Sequence, residues 1–143
     1  MIKDVIIDIK GVQGIDDETD AIEFTTDGRY GIKDGEFFIS YDEGQMMGDG
    51  TQVKTSLYIK PDSVVLQRKG TINSRMVIQK GARNTCFYST PYCNMVIGIY
   101  GDEISYDLTE KGGKIKLMYN IDSDLKLVSK NIVDIFVKET EVH

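Results

Sequence analysis

Histidine is nearly absent: the chain has one, His143, at the last position, where a terminus is expected to fray. Ser-His-Asp and Cys-His schemes and histidine-rich metal sites are thereby excluded. The two cysteines, Cys86 and Cys93, match the spacing of neither a zinc ribbon nor a C-x-x-C redox pair. They suit facing positions across a hairpin turning at Ser89-Thr90-Pro91-Tyr92, where an oxidising compartment would favour a bridge. Against that, Met1-Ile2-Lys3-Asp4-Val5 puts an acid where a secretory signal needs an unbroken apolar run. The expectation is a cytoplasmic protein with both thiols reduced, no structural metal and no cofactor.

No stretch approaches the ~20 apolar residues that cross a bilayer as a helix, so no membrane partner is expected. Basic residues are also in deficit, 17 against 23 acids for a net charge of -6, which repels a phosphate backbone. The densest basic group, Gln67-Arg68-Lys69 followed by Arg75, Lys80 and Arg83, is too dispersed for a nucleic-acid footprint. With two prolines, 14 glycines and no linker-like tract, residues 1–143 read as one domain. Apolar residues at 41% and charged residues at 28% give a globular mixture able to bury a core without a disulfide.

Helical periodicity is missing as well; a short helical turn near 122–127 is the one exception considered. What recurs is period two. Val5, Ile7 and Ile9 alternate with Ile6, Asp8 and Lys10, and Ile115, Leu117, Tyr119 and Ile121 with Lys116, Met118 and Asn120, as half-buried strands require. Turn chemistry separates the runs at Lys33-Asp34-Gly35, Lys60-Pro61-Asp62, Lys80-Gly81, Gly101-Asp102 and Lys111-Gly112-Gly113. Strands are predicted near 2–13, 20–32, 36–42, 51–60, 63–69, 74–80, 83–90, 94–101, 103–109, 114–121 and 131–139, with one or two merging. Hairpins of this number remove their edges most completely by closing. The predicted fold is an all-β, antiparallel up-and-down calycin- or lipocalin-like barrel of about eight to ten strands, with a β-sandwich as the alternative.

Chemistry is sparse. Asp16, Asp17, Glu18 and Asp20 cluster as calcium ligands do, but without the loop's internal glycine and distal glutamate, which leaves a solvated turn. Lys111-Gly112-Gly113-Lys114 lacks the length of a phosphate loop. The segment from Glu43 to Gly50 sets Met46 and Met47 among three glycines, either a lid with an adaptable apolar tip or a plain connection. Strand parity supplies the sharpest conflict: Val64, Leu66 and Arg68 share one face, which points a guanidinium inward and obliges it to find partners. Tyr41, Tyr106 and Tyr119 fall on inward parity too. Such a set either holds an amphipathic or anionic ligand or forms a satisfied structural network.

These residues, in order, resemble a family. Ile22 to Tyr30, Ile39-Ser40-Tyr41-Asp42-Glu43, Arg68-Lys69-Gly70, Arg75-Met76-Val77, Gly81, Tyr88-Ser89-Thr90-Pro91-Tyr92 and Leu117-Met118-Tyr119 are similar to the YwiB-like small bacterial calycin-like barrels of unknown function. The resemblance implies a lipocalin-like barrel without assigned catalytic residues, and Arg68 and Arg75 as recurrent features. It also implies a glycine after Thr90-Pro91-Tyr92, where this chain has Cys93 and a distorted turn is expected. The functional expectation is a non-catalytic module holding a small apolar or amphipathic molecule in the barrel; the alternative is a protein-interaction module with a filled interior, working through a strand edge or the Met46-Met47 segment.

Overall fold

The computed structural model describes residues 2–15, 18–42 and 53–140. Ten strands follow one another: β1 (Ile2–Ile15), β2 (Glu18–Lys33), β3 (Glu36–Asp42), β4 (Val53–Ile59), β5 (Ser63–Gly70), β6 (Asn73–Gln79), β7 (Arg83–Ser89), β8 (Asn94–Thr109), β9 (Gly112–Ser123) and β10 (Lys126–Glu139). Each pairs antiparallel with its neighbours in sequence, and β1 closes on β10, so that Val5 stands between Gly28 and Glu139. The sheet is a closed barrel and the sandwich is set aside.

Alternation sorts the side chains. Ile7, Ile39, Leu57, Val64, Ile78, Ile99 and Leu117 point inward and are wholly buried, each contributing roughly 1.5–3 kcal/mol of apolar burial. One end of the interior is plugged by rings: Tyr30 stacks on Phe37 at 6.0 Å, Phe37 meets Tyr106 edge-on at 6.4 Å, and the Tyr30 hydroxyl donates to the Thr109 carbonyl at 2.6 Å.

Two expectations about elements fail. The runs 94–101 and 103–109 form the single strand β8, and Gly101-Asp102 is a register shift rather than a turn. Gly101 accepts a 2.8 Å bond from the Gly81 N–H, and a Cβ there would lie 2.3 Å from the Gln79 carbonyl oxygen. Only glycine permits that approach, so the residue that reads as a turn is a bulge. Around 122–127 there is no helical turn but the β9–β10 hairpin, with Asp124 and Leu125 at φ 52° and 68°. Elsewhere the ladder is thinnest between β6 and β7, where the paired residues are Asn73 with Ser89 and Ser74 with Tyr88.

Candidate functional site

At the end opposite the ring plug, the barrel holds a cavity of about 400 Å³. Its wall is mainly apolar, with Ile9 from β1, Phe24 from β2, Leu66 from β5, Ile97 from β8 and Leu117 from β9. Ten strands leave such a space where eight are filled by their own side chains.

Polar side chains interrupt this wall: Gln13, Asp20 and Ser123 line it from exposed positions and Tyr88 from a half-buried one, and two further groups stand on β5 and β10. On β5, Arg68 keeps the inward parity of Val64 and Leu66, lines the cavity, and has its Nε shut off from solvent. In register it stands between Thr55 on β4 and Ser74 on β6, and Thr55 stands beside Tyr41 on β3. Thr55 and Ser74 are 0% and 7% exposed, and neither hydroxyl has a hydrogen-bond partner among the described residues. An unmet buried hydroxyl costs about 1–3 kcal/mol. Tyr41 lines the cavity with its ring edge-on to Phe24 at 6.1 Å.

The second group is on β10, with Ser129, Asn131 and the neighbouring Tyr119 of β9. Asn131 Nδ2 donates to Ser129 Oγ at 3.0 Å and to the Tyr119 carbonyl at 3.4 Å. Because a carbonyl only accepts, the amide is oriented with its nitrogen toward the wall.

Arg68, Tyr41 and Tyr119 are therefore brought together around one cavity. Tyr106 is not: although it has inward parity, it lies at the plugged end against Phe37. Arg75 also stands apart, exposed on the outward face of β6 opposite Gln67, because its parity is opposite to that of Ser74 and Met76. Met46 and Met47, with the lid reading, lie outside the described residues, as do Asp16 and Asp17 of the acidic cluster. Ser129, Asn131 and Tyr88, which also line the cavity, were missed. Their signal was available in part: Ser129 and Asn131 continue the inward parity of Val133, Ile135 and Val137, but the last strand was predicted to start only near 131.

The thiols are free, Cys86 half-buried and Cys93 exposed. They do not face one another. Cys86 pairs in register with Ile97, while Cys93 sits in the turn. That turn is regular despite the missing glycine: Thr90 N–H donates to the Cys93 carbonyl at 2.9 Å, and Thr90 Oγ1 accepts from the N–H groups of Tyr92 and Cys93. Positive φ among described non-glycine residues is confined to Asp34, Asp124 and Leu125, so position 93 does not require glycine.

A closed ten-stranded antiparallel barrel, ring-plugged at one end and hollow at the other, defines the class of protein. The chain belongs to the DUF1934 family, a domain of unknown function whose model matches residues 7–135. It is 26% identical over 117 residues to the uncharacterized beta-barrel protein YwiB of Bacillus subtilis, covering 82% of this chain and 80% of that protein. The crystal structure of the Bacillus subtilis ywiB protein superposes with a TM-score of 0.87 at 22% identity, over 98% of this chain and 94% of the other. That likeness is one of fold. Among the described residues, no helix is long and apolar enough to cross a membrane.

Proposed function

We propose that the protein is a non-catalytic, cytoplasmic binding module that holds a small amphipathic molecule in the barrel, in the manner of calycins. The observation that carries this reading is one cation, Arg68, set in the wall of a mostly apolar cavity that the hydroxyl-bearing Tyr41 and Tyr119 also line. Apolar walls supply affinity, and a few convergent polar groups supply orientation. The test is titration with octanoate at neutral pH, followed by amide chemical shifts. Saturable shifts around Ile9, Leu66 and Leu117 are expected, and Arg68→Met is expected to weaken binding about ten- to a hundredfold, the worth of a hydrogen bond to a charged group. If neither octanoate nor 1-octanol produces saturable shifts at these residues, the reading is wrong.

A protein-interaction role draws on one observation, the β7–β8 hairpin, where Phe87 and Val96 pair on the outer wall at 65% and 54% exposure and Tyr92 is 96% exposed. Closure of the barrel removes the strand edge this role would use. It gains only if the cavity proves unable to take a guest.

A further inference from the structure

Ten strands form the ring, and β5 and β10 stand five places apart in its order, diametrically opposed. The polar groups on β5 and β10 therefore face each other across an apolar middle. Granted the reading of this cavity as a binding site, we infer that its ligand is a two-ended molecule: an anion at one end, an uncharged hydroxyl-like group at the other, and a short apolar spacer between them.

The two poles differ in what they offer. At the β5 pole Arg68 lines the cavity, while its register neighbours Thr55 and Ser74 keep their hydroxyls buried outside the lining. A guanidinium carries positive charge and only donates, which suits a carboxylate or similar anion. At the β10 pole both Nδ2 hydrogens of Asn131 are spent on Ser129 Oγ and the Tyr119 carbonyl. What remains is Asn131 Oδ1 as an acceptor and the Ser129 hydroxyl hydrogen as a donor. One acceptor beside one donor matches a hydroxyl, which needs both. A second carboxylate placed there would bring its charge against Asn131 Oδ1 and the Tyr119 carbonyl. Ser129 and Asn131 are 2% and 8% exposed, so water reaches them poorly and an unmatched ligand end leaves them unsatisfied. Gln13, the register partner of Asn131 on β1, also lines the cavity but is exposed.

Size follows from geometry. With strands ~4.8 Å apart and tilted ~40°, a ten-stranded barrel is about 20 Å across, and inward side chains leave roughly 8–10 Å. At ~30 Å³ per water-sized group, the cavity admits about a dozen non-hydrogen atoms. A spacer of six or seven methylenes, as in 8-hydroxyoctanoate, fits both limits.

The experiment compares 8-hydroxyoctanoate, octanoate, octane-1,8-dioate and 1-octanol by amide-shift titration of the full chain at pH 7.5. The hydroxy acid is expected to bind about three- to tenfold more tightly than octanoate, one hydrogen bond's worth, and the diacid more weakly than the hydroxy acid. Asn131→Leu should erase the preference for the hydroxy acid over octanoate; Ser129→Ala, the gentler change, should reduce it. Equal affinity for hydroxy acid and octanoate, or a preference that survives both substitutions, overturns the two-ended ligand and leaves the binding reading standing. Failure of all four compounds to bind overturns that reading, and the inference with it. The wild-type comparison needs no variant, so a substitution that unfolds the barrel does not rescue the idea.

Discussion

Arg83 reaches across β8 to Asp122. Its Nε donates to Oδ2 at 2.9 Å and its Nη2 to Oδ1 at 2.6 Å, and between them lies Gly98, the register partner of both Thr85 and Asp122. The guanidinium occupies the space of a side chain that Gly98 lacks: a Cβ there would stand 2.4 Å from Nη2. Asp122 also accepts the Leu125 N–H at 3.1 Å, so one carboxylate ties three neighbouring strands to a hairpin. The Arg83 hydrogen bond, aided by the Leu125 N–H, holds the Asp122 carboxyl below its usual value against the opposing effect of burial.

Gly98→Ala is therefore expected to displace the guanidinium and lower stability, modestly because the ion pair is solvent-screened. Urea unfolding of Gly98→Ala, Arg83→Leu and the double variant checks it. The two losses should overlap strongly rather than add, because both remove the same contact. Full additivity would mean that Gly98 has some other role.

Leu125 holds φ at 68° beside Asp124 at 52°, a two-residue turn with both centres left-handed, and its side chain is 76% exposed. Leucine carries a Cβ penalty there that glycine does not. Leu125→Gly should stabilise the protein by roughly 0.5–1 kcal/mol, read as a higher urea midpoint. A lower midpoint would show that the exposed leucine contributes more through contacts than its backbone costs.

The two thiols should react on separate timescales. Burial raises the Cys86 thiol pKa, which lowers its thiolate fraction, while Cys93 is exposed in the turn. With an aromatic disulfide reagent at pH 8, one equivalent is expected to react promptly and the second slowly. Cys93→Ser should delete the prompt phase; loss of the slow phase instead would reverse the assignment.

Tyr30 makes the plugged end sensitive to alkali. Burial pushes its phenol up to about 12 from an ordinary 10.0, while its hydroxyl donates to Thr109. A raised folded pKa favours the neutral form in the folded state, so this contribution is complete below pH 10 and is lost as pH rises toward 12. Tyr30→Phe should flatten the decline in stability between those pH values. An unchanged slope would place the titration on another group.

Alternation and turn chemistry, written in the sequence, determined most of the strands and the inward aim of Arg68, because the pleat turns parity into facing locally, whatever the rest of the chain does. Parity could not say how far along the axis an inward residue lies. Tyr106 and Tyr119 share inward parity, yet one packs on the ring plug and the other lines the cavity. Nor did Gly101 in sequence distinguish a turn from a bulge, since both call for glycine and only the approach of the Gln79 carbonyl decides. The opposition of Arg68 to Ser129 and Asn131 was equally invisible, with 60 residues between positions 68 and 129 carrying no mark of it. Barrel closure, strand number and stagger are properties of all ten strands at once, so only the tertiary structure set those two polar groups across one cavity.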